Sequence, residues 1–387
     1  MLYVNLLGGN RLVGTLPQEI RAFSHLELLQ LDGNSLEGRL PGFAITKLTK
    51  LTSLDIRDNE LSSSLPFNIG LLSNLENLLL GMNGLESSLP TTFSLLSKLV
   101  NLDLSDNSFS GAIFSLSEPL MGASLSKLQS LNLASNRFRG TITSQISTMS
   151  SLQMLNLGNN DIVGSIPNEV SSLTQLSRLL VEGNFLTGTI PWENLPNENL
   201  TEIVLNDNFI VGTLPSNIGR FSKLANLRLD NNGITSTIPE SIGQLSKLEV
   251  FGLGSNELTG QLPTTSFGNM TSLRFVDLHQ NSFVGEIPAE LGRCSNLKAI
   301  NLSWNQFNGT LPTELGNLHK LKHLIVNEND LSGPVPFDYL KLTSLSKFIR
   351  ACDLYQSMLL STALKCHSSW NTRLSSFLCC SFGIVLR

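Results

Sequence analysis

Leu248 to Pro263 reads LEVFGLGSNELTGQLP, and its frame returns along nearly the whole 387-residue chain. Aligned on the asparagine, the frame recurs at Asn10, Asn34, Asn59, Asn83, Asn107, Asn136, Asn160, Asn184, Asn208, Asn232, Asn256, Asn281, Asn305 and Asn329. The step is 24 residues, except for 25 at Asn34–Asn59 and Asn256–Asn281 and 29 at Asn107–Asn136. Leucine-rich composition alone does not place fourteen asparagines in one register. A period of this size marks stacked repeats.

Each position in the frame has a physical task. Residues five and three before the asparagine, such as Phe251 and Leu253, alternate with small or polar neighbours. That is the period of a short strand with one buried face. One unit cannot bury its apolar edge alone, so units stack and each strand pairs with the next. The Asn side-chain amide is suited to satisfying backbone groups where the chain turns inward, and in register the amides are expected to form a ladder. The Gly-x-Ile-Pro that follows, as at Gly164–Pro167, puts a small residue at a bend and a proline where no N–H donor is needed.

In full the frame is LxxLxLxxNxLxGxIPxxIGxLSxL, well shown by LANLRLDNNGITSTIPESIGQLSKL at Leu224–Leu248. On these residues the chain resembles the plant-type leucine-rich repeat family, over about Leu2 to Phe348. The resemblance implies an α/β repeat fold: a right-handed solenoid of about fourteen 24-residue repeats with a parallel concave β-sheet. The GxIP segment implies a second, shorter strand. Residues 1–348 are thus expected to form one repeat domain, with an irregular tail rich in Cys, Ser and Leu at 349–387 holding Cys352, Cys366, Cys379 and Cys380. Those cysteines are spaced for no recognisable zinc site, while a disulfide cap is an alternative to a poorly ordered tail. Cys294 is expected to be buried. The extra residues before Asn136 are expected to bulge as a loop near Ser115–Ala123. Repeats at Asn59 and Asn83 carry Ser where Gly is usual (LSSSLP, LESSLP).

Both ends depart from the family, whose members begin with a Cys-bearing cap after a signal peptide. Here Met1 falls inside the first strand, so the N-terminal cap is expected to be missing. No apolar run reaches the roughly 18 residues of a membrane helix; the longest candidate is FLCCSFGIVL at 377–386.

Composition excludes several functions. Charged residues are 15% and the net charge is −5, so no overall basic character supports nucleic-acid binding. No phosphate-binding glycine loop, kinase landmark or HExxH motif occurs, and His25, His279, His319, His323 and His367 have no metal-ligand spacing. The carboxylate pairs Asp55/Asp58 and Asp103/Asp106 are expected to be solvated frame positions rather than acid–base or Ca²⁺ sites. No enzyme, cofactor or metal is expected.

What remains is a binding surface. On a leucine-rich repeat strand the exposed concave residues lie one, two, four, six and seven places before the frame asparagine. Early rungs place Asp32, Asp55, Asp58, Asp103 and Asp106 there, interrupted by Arg57. Middle rungs offer Arg178, Glu182, Glu202 and Arg228, with opposite charges placed to pair across strands. Late rungs gather Phe275, Asp277, His279, Trp304 and His323. Large amphipathic groups concentrate binding energy, so the ligand is expected on the late rungs. Some related peptide receptors read a ligand carboxylate with Arg-x-Arg on one strand, and this chain has none. N-glycosylation sequons occur at Asn199, Asn269, Asn301 and Asn308, no denser than composition alone produces.

The expected function is a non-enzymatic protein- or peptide-binding module resembling the ectodomain of receptor-like kinases or receptor-like proteins. It would be a fragment or soluble form without kinase or membrane span. The family implies signal perception at the cell surface, on the extracellular side of the plasma membrane, with a co-receptor. Two alternatives are a secreted inhibitor of a cell-wall hydrolase and an intracellular interaction scaffold.

Overall fold

The computed structural model describes residues 4–113, 125–196 and 198–350. They fall into two compact units, divided between Val211 and Gly212. The expected bulge at Ser115–Ala123 and the tail cysteines lie outside the described residues.

The first unit is built on three-residue parallel strands. These are β1 (Val4–Leu6), β2 (Leu28–Gln30), β3 (Ser53–Asp55), β4 (Asn77–Leu79), β5 (Asn101–Asp103), β6 (Ser130–Asn132), β7 (Met154–Asn156), β8 (Arg178–Leu180) and β9 (Glu202–Val204). Each pairs with the next in identical register, as Leu29↔Leu54 and Leu54↔Leu78 show. The second unit repeats the plan with β10 (Asn226–Arg228), β11 (Val250–Gly252), β12 (Phe275–Asp277), β13 (Ala299–Asn301), β14 (His323–Ile325) and β15 (Lys347–Ile349). The last of these runs one residue past the expected end of the frame.

A second parallel ladder follows the asparagine in each unit. In the first it joins segments such as Ser108–Ala112, Arg137–Thr141 and Asp161–Gly164; in the second, Gly233–Ser236, Glu257–Gly260, Ser282–Glu286 and Gln306–Asn308. The IPxxIGxL segment then turns in a short 3₁₀ helix, as at Glu240–Gln244 and Ala289–Arg293. The two 25-residue repeats differ in form as well as length. Each makes a four-residue α-helical turn instead, Gly42–Ile45 or Thr264–Phe267. The Ile45 N–H reaches back four residues to the Pro41 carbonyl at 2.8 Å, and this wider turn takes up the added residue.

The interior is filled by frame positions alone. Phe251, Leu253, Leu258 and Phe267 of one repeat are all fully buried. Phenylalanines two places after the asparagine stack between neighbouring repeats, Phe109 on Phe138 at 6.2 Å and Phe283 on Phe307 at 6.1 Å. Cys294 is buried, its Sγ 3.1 Å from the Phe267 carbonyl, and burial pushes its thiol up to about 11. That leaves it a packed, inert group.

The frame asparagines knit one repeat to the next. Asn160 Nδ2 lies 3.0 Å from the Leu133 carbonyl of the preceding repeat and 3.1 Å from those of Leu157 and Gly158 in its own. Its Oδ1 accepts the Phe138 N–H at 3.0 Å. Asn184, Asn256 and Asn329 make the same set of contacts.

Candidate ligand-binding surface

The residue just before each frame asparagine stands in left-handed backbone. Asp58, Met82, Asp106, Asn159, Asn231, Ser255, Gln280, Trp304 and Glu328 all have φ between 51° and 57° except where glycine takes the place, as Gly33 does at 62°. The conformation turns each N–H toward the next repeat: the Trp304 N–H donates to the Asn327 carbonyl at 2.9 Å, and the Asn281 N–H to the Trp304 carbonyl at 3.1 Å. Glycine or asparagine takes this conformation at little cost, and a tryptophan does not. Trp304 nevertheless sits there, 59% exposed at φ 57°.

Strand register places Phe275, Asp277 and His323 on neighbouring strands of the second unit. Phe275 opens β12, opposite Val250 on one side and Ala299 on the other, and His323 follows Ala299 in the same row. Asp277 is two places further along β12, between Gly252 and Asn301. Phe275 is 41% exposed, with Val250 and Ala299 as its register neighbours, while Gly252, opposite Asp277, lies buried under the Asp230 carboxylate. Arg228 lies in β10, opposite Gly252. Arg178 and Glu202 are register partners in the first unit.

His279 is held from both sides. Its Nδ1 is 2.6 Å from Asp277 Oδ1 and its Nε2 is 3.1 Å from Ser255 Oγ. The hydrogen bond to Asp277 raises the imidazole's pKa against the opposing effect of burial, with Asp277 and Asp230 adding electrostatic support. Asp230, in turn, is pushed up by its own burial although the Gly254 N–H donates to it at 2.9 Å. Ser255, His279 and Asp277 thus reproduce the linear order of a hydrolase triad. Acyl transfer also needs N–H donors aimed at an oxyanion. The N–H groups of Gly254, Ser255 and Asn256 are all committed, to Asp230, to the His279 carbonyl and to the Gln280 carbonyl. Ser255 Oγ is also 3.2 Å from Gln280 Oε1. The arrangement is a polar patch able to hydrogen-bond a ligand.

The early acidic rungs correct one expectation. Asp55 is buried rather than solvated, and it holds Arg57 bidentately, Nε to Oδ1 at 3.0 Å and Nη2 to Oδ2 at 2.7 Å. Arg57, two places along the same turn, leans back over Asp55, which raises the guanidinium's pKa. Asp103 likewise accepts from the Ser105 N–H and hydroxyl at 3.1 and 2.7 Å. Among the described residues no group of three or more His, Cys, Asp or Glu could hold a metal ion. Of the sequons, Asn269 and Asn308 are exposed, while Asn301 is half-buried on β13 with Oδ1 accepting from the Ser303 N–H and hydroxyl.

One feature escaped the reading of exposed columns. Seven places before the asparagine, Arg274, Lys298 and Lys322 follow one another on successive rungs. The frame spacing alone places the three in one column.

Family models described as leucine-rich repeat region and leucine rich repeat match residues 203–375, 126–186 and 50–72. With the repeat geometry above, they make this chain a leucine-rich repeat protein. Several of its solved neighbours are plant receptor ectodomains. The plant peptide hormone receptor RGFR1, solved in complex with RGF2, is 30% identical over 89% of this chain and 58% of its own, at a TM-score of 0.77. The Arabidopsis receptor kinase HAESA ectodomain, in complex with an N-terminally extended IDA peptide hormone, is 29% identical over 89% and 61%, also at 0.77. HAESA with IDA and the co-receptor SERK1 matches at 26% identity, over 90% of this chain and 70% of that one, with a TM-score of 0.62. The chain therefore spans about three-fifths of the first two relatives. No curated protein matches it significantly. None of its described helices is long and apolar enough to cross a membrane.

Proposed function

We propose that this chain is the ligand-recognition module of a receptor-like protein, binding a peptide or protein on the concave face of its second unit. Phe275, Asp277, His279, Trp304 and His323 form the centre of that site. Arg228 provides a charged contact on an earlier rung of that unit, and Arg178 with Glu202 offers a separate charged contact on the first unit. The module works without catalysis: a stiff, pre-paired sheet loses little entropy when a ligand settles on it. In this reading the module acts outside the cell, as a fragment or soluble form of a receptor, and a bound ligand recruits a co-receptor.

Trp304 is the observation that carries the reading. A large aromatic held exposed in left-handed backbone costs stability, and strained residues of this kind cluster where a ligand is held. Two neighbouring rungs add Phe275 and the polar Asp277–His279–Ser255 group, the mixture of rigid aromatic and fixed hydrogen-bonding groups typical of binding hot spots. The solved neighbours in complex with peptide hormones support the same class of ligand.

The test begins with peptides selected by phage display on the purified protein. Their affinities are then measured by calorimetry against the double variant Phe275→Ala/Trp304→Ala. Loss of about a hundredfold in affinity is expected for residues at the centre of such a site. Undiminished affinity would put the ligand elsewhere.

A further inference from the structure

We propose that Arg274, Lys298, Lys322 and Lys347, with His323, form a docking row for an acidic polypeptide segment of a protein partner. The row borders the aromatic site and shares only His323 with it; its own cations are not among that site's residues. Its members occupy consecutive rungs, since the Lys298 N–H donates to the Arg274 carbonyl at 2.8 Å and the Lys322 N–H to the Lys298 carbonyl at 2.8 Å. Lys347 follows on β15, bonded to the Lys322 carbonyl at 3.0 Å and facing His323 in register. Neighbouring strands lie about 4.8 Å apart, so four rungs carry four cations along roughly 15 Å.

Like charges placed side by side across strands repel. Glu249 relieves only the first, at 3.3 Å from Arg274. Among the described residues no carboxylate lies within ion-pairing distance of Lys298, Lys322 or Lys347, and Lys322, His323 and Lys347 are exposed. The same column of the first unit runs from Glu27 to Thr201 without one cation. In a chain of net charge −5, the row is a local reversal of sign that weakens the fold it sits on. A partner that supplies negative charge removes the repulsion.

The side chains favour carboxylates on a polypeptide over phosphates on a nucleic acid. Phosphate recognition favours the forked guanidinium, and the single arginine here already faces Glu249. Lysine carries a compact charge on a flexible stem, so it follows carboxylates whose spacing differs from its own; same-side groups of an extended peptide stand about 6.6 Å apart. The row also holds no series of aromatic rings on which bases would stack.

The experiment measures fluorescence anisotropy of a fluorescein-labelled, amidated hexaglutamate peptide with the whole chain at low salt. A single-stranded oligonucleotide of equal charge is run alongside. Lys298→Gln/Lys322→Gln/Lys347→Gln is expected to weaken peptide binding about tenfold, with a shallower salt dependence. Lys298→Arg/Lys322→Arg/Lys347→Arg retains binding, as does Phe275→Ala/Trp304→Ala, and Lys50→Gln/Lys98→Gln/Lys127→Gln changes nothing. The glutamine variant is also expected to unfold at higher urea than the wild type, which shows that it folds and that the row costs stability. No peptide binding by the wild type, equal loss in the control variant, or tighter oligonucleotide binding that the same substitutions remove would each overturn the proposal.

Discussion

At the scale of single residues, two columns carry information that composition hides. The first is the frame asparagine. Replacing Asn160 by alanine leaves the carbonyls of Leu133, Leu157 and Gly158 and the N–H of Phe138 without their side-chain partner. The expected loss is about 2–4 kcal/mol, measured by chemical denaturation, because each of these groups is away from water. The second column is the fourth residue after the asparagine, where Gly164 stands at φ 83° and Gly260 at φ 78°. Ser63, Ser87 and Ser236 occupy the same place at φ 69°, 74° and 76°. These serines are strained rather than neutral variants. Each changed to glycine is expected to raise stability by about 0.5–1 kcal/mol, after the glycine's greater freedom in the unfolded chain is counted. Trp304→Asn should likewise gain about 1 kcal/mol while removing the exposed ring. A urea titration of these variants that shows no gain would contradict the strain argument.

At the scale of elements, the repeat register was plain from spacing, and so were the buried columns. The form of the convex turn was less plain. A count of 25 rather than 24 shows an added residue, but only the hydrogen bond from Ile45 back to Pro41 shows that it becomes an α-turn. Phe275, Trp304 and His323 were legible as exposed because their columns follow from the strand period. Their neighbours were not: the pairing of His279 with both Asp277 and Ser255 depends on side-chain rotamers, and Asp55 was misread because the reach of Arg57 back over it leaves no mark in the period.

The His279 pair has a pH consequence. Its folded-state pKa is raised, so the stabilisation is fully present below the unfolded value of about 6.5 and fades as pH rises through the folded value. The wild type should therefore exceed His279→Gln in urea midpoint by most at pH 5.5, and the difference should shrink by pH 8.5. The raised carboxyl of Asp230 acts in the same direction, since its charged form is disfavoured in the fold. A difference between the two proteins that grows with pH would refute this account.

At the scale of the whole molecule, each repeat is held by its neighbours, so damage is expected to remain local. Gly292 illustrates the coupling: a Cβ there would fall onto the Glu314 carbonyl oxygen of the following repeat. Gly292→Ala should cost about 1–3 kcal/mol by forcing the two repeats apart. Hydrogen exchange should accelerate at the Leu291 and Leu315 amides of the second unit and leave those of Leu78 and Leu102 in the first unchanged. Acceleration of equal size throughout would show instead that the repeats open as one body.

The left-handed column also sets a rule for redesign. Of the frame's exposed columns, the one before each asparagine accepts a restricted alphabet: glycine, aspartate, asparagine and serine dominate, and no valine, isoleucine or threonine stands there in any of the fourteen repeats. A library built to retarget this surface can vary the other exposed columns widely. At this column its β-branched members would be lost to misfolding before any selection for binding began.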